Sequence, residues 1–92
     1  MDEKRKKAVA LQYKINERAP KLIAKGADLL AEKIINLAQK YNVPVYPDSD
    51  LVEILYQLDI MQEIPPQLYQ AVAEVLAFVY LLNQKLKEQN ID

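Results

Sequence analysis

The chain contains no cysteine, histidine, threonine or tryptophan, and it has one glycine and one serine among its 92 residues. Each absence removes a class of chemistry. Without cysteine there is no disulfide, thiolate metal site or thiol nucleophile, a composition at home in a reducing cytoplasm. Without histidine no histidine-based catalytic triad can be assembled, and a zinc site would be left with carboxylates in place of its usual nitrogen and sulfur ligands. With Gly26 alone, the glycine-rich loops that bring backbone close to phosphate are missing, as is the GXXG loop of a KH domain. Only carboxylate, lysine and tyrosine groups remain for acid-base work, so the expectation is a protein with no catalytic residues, no metal and no cofactor.

What is present fits an ordinary globular domain: 51% of residues are apolar and 27% charged. A single domain of this size buries roughly 60–65% of its unfolded surface around one core. Twelve basic residues against 13 acidic ones leave a net charge of -1, which gives no global attraction to nucleic acid or anionic lipid. The most apolar segment, residues 68–82, contains Gln70 and Glu74 and falls short of the about 20 residues a membrane crossing needs. It is expected to be a core helix rather than a membrane insertion. The basic start is followed by an apolar stretch, residues 8–11, that is shorter than the roughly 7–15 residues of a signal-peptide core.

Along the chain, residues 1–7 read as a charged leader, residues 8–83 as the folded domain and residues 84–92 as a polar tail expected to fray. Ala8-Val9-Ala10-Leu11-Gln12-Tyr13, bounded by lysines, reads as a mostly buried strand. Pro20 suits the first position of a helix, yet Gly26 would interrupt that helix, and Lys21-Leu22-Ile23-Ala24 suits a short strand equally well. From residue 27 to 41, Leu30, Ile34, Leu37, Ala38 and Tyr41 recur at three- and four-residue spacing and predict an amphipathic helix stopped at Asn42. Val43-Pro44-Val45-Tyr46 reads as a short edge strand. Asp50 with Glu53 three residues on resembles a capping box and predicts a helix over residues 50–58. Ile64-Pro65-Pro66 breaks the chain, and Leu68, Val72, Val75, Leu76, Val79 and Leu82 then form the stripe of a final helix.

Few side chains invite a chemical role. The carboxylates Asp48, Asp50 and Glu53 suit a cation site on paper, but a helix start favours negative charge by itself. Glu74 sits in an apolar helix, though on the side that carries Gln67 and Gln70. Lys4-Arg5-Lys6-Lys7 would be the contact for a nucleic acid or an anionic membrane surface, the alternative function for this chain; no aromatic residue interleaves with it, and a solvated leader accounts for it better. Tyr69, Ala73, Leu76 and Tyr80 share one helical face and read as core or interface.

Three segments taken together resemble the FlhB/YscU family of type III export-apparatus switch proteins: Ala8-Val9-Ala10-Leu11-Gln12-Tyr13, Ala19-Pro20-Lys21-Leu22-Ile23-Ala24-Lys25-Gly26, and Ile64-Pro65-Pro66-Gln67-Leu68-Tyr69-Gln70-Ala71-Val72-Ala73-Glu74-Val75-Leu76. The similarity runs from about residue 8 to residue 80. It implies the C-terminal cytoplasmic half of such proteins: an α/β fold with a small mixed sheet flanked by helices, in the order β-β-α-β-α-α, and a strand rather than a helix after Pro20. Family members carry Asn-Pro-Thr-His just ahead of the segment matching residues 8–13 and cleave themselves between Asn and Pro. This chain has Lys4-Arg5-Lys6-Lys7 there and no Asn-Pro bond anywhere, so self-cleavage of that kind is excluded.

The resemblance further implies a non-enzymatic interaction module that contacts export-gate proteins, export substrates or their chaperones in the cytoplasm, peripheral to a membrane-bound apparatus. It implies a partner-binding pocket formed by Ala19, Pro20, Ala73 and Leu76. Because the family has a strand upstream of its cleavage motif, it also implies an unfilled sheet edge at residues 8–13. Self-association or capture of a partner's strand is expected there.

Overall fold

Alternation along an extended chain sets the first two elements. The computed structural model describes residues 5–89, with side chains through residue 82. Strand β1, Lys7–Gln12, pairs antiparallel with β2, Lys21–Ala27, and the pairing is irregular at Ala10/Leu11, where Ile23 of β2 is left without a partner. Helix α1 spans Leu29–Lys40, α2 spans Ser49–Leu55, and a short 3-10 turn, Pro66–Leu68, leads into α3, Tyr69–Gln89. The fold is α/β, as the sequence implied.

Cross-strand partners share a sheet face. Ala8, Ala10, Ala24 and Gly26 therefore lie on one side, and Lys7, Val9, Leu11, Leu22 and Lys25 on the other. The side made of small residues receives α1, whose one fully buried residue is Ala31. Gly26 is required there: a Cβ on it would run into the Cγ, Cδ2 and Cβ atoms of Leu30. The opposite face carries the main core, in which Leu22, Leu51, Leu55, Ile64 and Val72 are buried and Val9, Leu11, Leu68, Val75 and Leu76 pack around them. Each fully buried aliphatic side chain stabilises by about 1.5–3 kcal/mol.

Three sequence expectations change. The sheet is two-stranded and antiparallel, not mixed, and residues 43–46 form no strand. Pro44 and Pro47 have no N–H to donate, the Val43 N–H closes the end of α1 on the Ala38 carbonyl at 2.7 Å, and Tyr46 meets Phe78 of α3 edge-to-face at 5.0 Å. The cap of α2 is Asp48 rather than Asp50: its Oδ1 accepts from the Leu51 N–H at 3.1 Å, and α2 ends at Leu55. Finally, Leu30 and Leu37, expected inside, are half exposed, and Ala31 is the buried residue of α1. Asn42 does stop α1, adopting a left-handed φ of 62°. Residues 1–4 of the expected leader and 90–92 of the expected tail lie outside the described residues, while α3 continues helical through Gln89.

The two sheet edges differ. On β2, Leu22 donates to the Gln62 carbonyl at 3.0 Å and accepts from the Met61 N–H at 2.6 Å, and Ile64 donates to the Pro20 carbonyl at 2.8 Å. On β1, the Asp28 N–H bonds the Lys6 carbonyl at 2.7 Å, which fixes the phase of the ladder. Ala8 and Ala10 then turn their backbone groups to β2, and Lys7 and Val9 turn theirs outward. Beyond the irregularity, Leu11 faces outward too, since Leu22 opposite it spends both groups on the far side.

Candidate binding pocket

A shallow apolar depression of about 180 Å³ opens where the β1–β2 connection meets the start of α3. Antiparallel register puts it there: Gln12 opposes Lys21, so Tyr13 falls beside Pro20, and the Ile64–Pro20 backbone bond draws the chain before α3 against the same spot. Ala19, Pro20, Ala73 and Leu76, the four residues implied by resemblance, all line it, together with Tyr13, Arg18, Ile64, Tyr69 and Val72. Its floor is rigid, because Ala19, Ile64 and Val72 are buried. Its rim is open: Ala73 is exposed, Leu76 half-buried, and Tyr13 and Tyr69 are 49% and 41% exposed.

Of the additional lining residues, Tyr69 was visible as the helical-face neighbour of Ala73 and Leu76. Tyr13 and Arg18 have no signal in composition or periodicity, and only the strand register could have revealed Tyr13. Arg18 lies 80% exposed, with its Nε 3.8 Å from Glu63, too long for a hydrogen bond and so loosely held.

Several of the other candidate groups have structural partners. Asp48 caps α2, and Glu53 accepts two 3.0 Å bonds from the Lys7 ammonium. Lys25 donates to the carbonyls of Tyr56 and Leu58 at 3.1 and 2.8 Å, tying off the end of α2, and both Lys7 and Lys25 sit 5.3 Å from the centroid of the Tyr56 ring. Glu74 is exposed. In the leader, Arg5 pairs with Asp28 at 2.9 Å, and this carboxylate raises the guanidinium pKa above its ordinary value through a hydrogen bond and direct attraction. Arg5 and Lys7 thus each sit beside a carboxylate of the fold, Arg5 at the exposed surface and Lys7 half-buried. Among the described residues no group of His, Cys, Asp and Glu could hold a metal ion, and no helix is long and apolar enough to cross a membrane.

Comparison with known proteins points in one direction. The sequence profile of the family described as FlhB HrpN YscU SpaS matches residues 5–79. The uncharacterized protein YlqH of Bacillus subtilis is 40% identical over 85 residues, covering 91% of both chains. The flagellar biosynthetic protein FlhB of Escherichia coli is 48% identical over 79 residues, which is 84% of this chain but 21% of that one, so the match spans about a fifth of FlhB. Among solved structures, the cytoplasmic domain of FlhB from Shewanella putrefaciens aligns at a TM-score of 0.83 with 39% identity, over 88% of this chain and 68% of that one. The PscU C-terminal domain aligns at 0.76 with 29% identity, over 80% and 96%.

Proposed function

Since this chain belongs to the FlhB HrpN YscU SpaS family, we propose that it is a non-enzymatic interaction module of the flagellar or a related type III export apparatus. On this reading it resembles the fragment that self-cleavage would release, held permanently in that form because it has no Asn-Pro bond to cut. Its partners are export-gate proteins, export substrates or their chaperones on the cytoplasmic side of the membrane.

The observation that carries this reading is the convergence of Ala19, Pro20, Ala73 and Leu76 on one depression. Cavities for drug-sized ligands run roughly 300–1,000 Å³, and at about 180 Å³ this one is the size for a single large apolar side chain. The small residues Ala19 and Ala73 leave that room. A phenylalanine or leucine of an export substrate, presented on an otherwise polar segment, would displace water from Tyr13, Tyr69 and Leu76 and gain its affinity from that burial, in the manner of a one-residue anchor.

Ala73→Asp tests the reading. Because Ala73 is exposed, the variant keeps the wild-type circular dichroism spectrum and melting temperature, while a charge at the rim abolishes binding of an export-substrate peptide carrying one phenylalanine, as read by calorimetry. Undiminished binding by the folded variant would rule the pocket out.

A further inference from the structure

Arg18 is the one charged side chain among the described residues that line the pocket. Its backbone is held while its head is free. The next two residues, Ala19 and Pro20, are buried, and the Pro20 carbonyl accepts from the Ile64 N–H at 2.8 Å, so the point from which the side chain leaves is fixed beside the pocket floor. The side chain itself lies 80% exposed, and its ion pair with Glu63 is 3.8 Å long. A guanidinium offers five N–H donors in a rigid fork, and among the described residues none of those of Arg18 makes a hydrogen bond. So loose and exposed a pair adds little to the fold, and Arg18 has no structural task that accounts for it.

We propose that Arg18 selects among polypeptide ligands of this pocket, favouring those with a carboxylate immediately beside the apolar anchor. The selection rests on the pocket receiving an apolar side chain, as proposed above, and adds a charge requirement to it. With the anchor seated against Tyr13 and Tyr69, the ligand atoms nearest the rim belong to the anchor's own backbone and its immediate neighbours. A carboxylate there accepts two parallel N–H···O bonds from the fork, in place of the long contact to Glu63. An ammonium there faces the guanidinium and is repelled. The rest of the β1–β2 connection reinforces this sign: Glu17 is matched by Lys21 at 3.4 Å, whereas Lys14 is exposed and has no ion pair among the described residues. Two sources supply the carboxylate, an aspartate or glutamate next to the anchor or the free C-terminus of a chain that ends in it.

The test is a titration of the ¹⁵N-labelled full chain, read by the amide shifts of Ala19 and Ala73 and by the Arg18 Nε–H resonance. Four peptides each carry one phenylalanine: acetyl-Ser-Gln-Glu-Phe-Glu-Gln-Ser-amide, the same with glutamine for both glutamates, the same with lysine for both, and acetyl-Ser-Gln-Gln-Phe with a free C-terminus. At least one carboxylate peptide binds about three- to tenfold more tightly than the glutamine peptide and moves the Arg18 Nε–H, and the lysine peptide binds most weakly. Which carboxylate peptide is preferred identifies the source. Arg18→Gln keeps the wild-type melting temperature, because the side chain is exposed, and brings the carboxylate and glutamine peptides to the same affinity. Equal affinities of all four peptides for the wild-type chain would overturn the selection and leave the pocket standing. A carboxylate preference that survives in Arg18→Gln would overturn the role of Arg18. No shift from any peptide up to millimolar concentration would overturn the pocket and the selection with it.

Discussion

The outer edge of β2 and the outer edge of β1 belong to the same two-stranded sheet and have opposite fates. The first is closed by the chain at residues 61–64, which takes both backbone groups of Leu22 and the carbonyl of Pro20. The second is left with a row of outward backbone groups. A closed edge can recognise a partner only through side chains, and it is beside the closed edge that the apolar pocket forms. An open edge offers backbone pairing with little regard for sequence, and it is here that lysines gather, a known guard against indiscriminate strand pairing. One small sheet thus separates a side-chain site from a backbone site.

The sharpest way to break this contrast is to remove what holds the closed edge. Leu22 is fully buried and sits where the sheet, the chain at 61–64 and α2 meet. Leu22→Ala is expected to lower stability by about 2–5 kcal/mol in a urea titration, through lost burial and a cavity. A loss no larger than that of an exposed leucine would mean that the closure is incidental.

A smaller effect probes the turn that delivers the closing segment. Met61 donates to the Leu22 carbonyl from a left-handed backbone at φ 73°, and its side chain is 57% exposed, so packing contributes little there. Met61→Val places a β-branched side chain in that conformation, and the urea midpoint should fall by the equivalent of about 1–2 kcal/mol. No change would show that the segment reaches β2 in another conformation.

Much of this contrast was legible in the chain itself. The bounded apolar run at residues 8–13 marked β1 to within a residue, and the stripe beginning at Leu68 marked the buried side of α3, because both are local patterns. The prolines at 44 and 47 were equally visible, and they count against the strand that was expected over residues 43–46. Hidden were the features that depend on distant partners. Leu30 and Leu37 carry helix periodicity, but whether that face is covered depends on the small side chains of Ala8, Ala24 and Gly26 elsewhere in the sequence. Asp48 and Asp50 are equivalent as caps until the backbone chooses one. The four pocket residues were known only by resemblance, since two alanines, a proline and a leucine carry no chemical signature; Tyr13 and Arg18 join them through strand register alone.

The central claim is that an apolar anchor enters the pocket and not the free edge. It is tested most directly by mapping amide chemical shifts while titrating a polar peptide that carries one phenylalanine. The account predicts saturable shifts at Ala19, Tyr69, Ala73 and Leu76, with Lys7, Val9 and Leu11 unmoved, and no response to the same peptide with alanine in place of phenylalanine. Shifts confined to Lys7, Val9 and Leu11, or a response that survives loss of the phenylalanine, would contradict it.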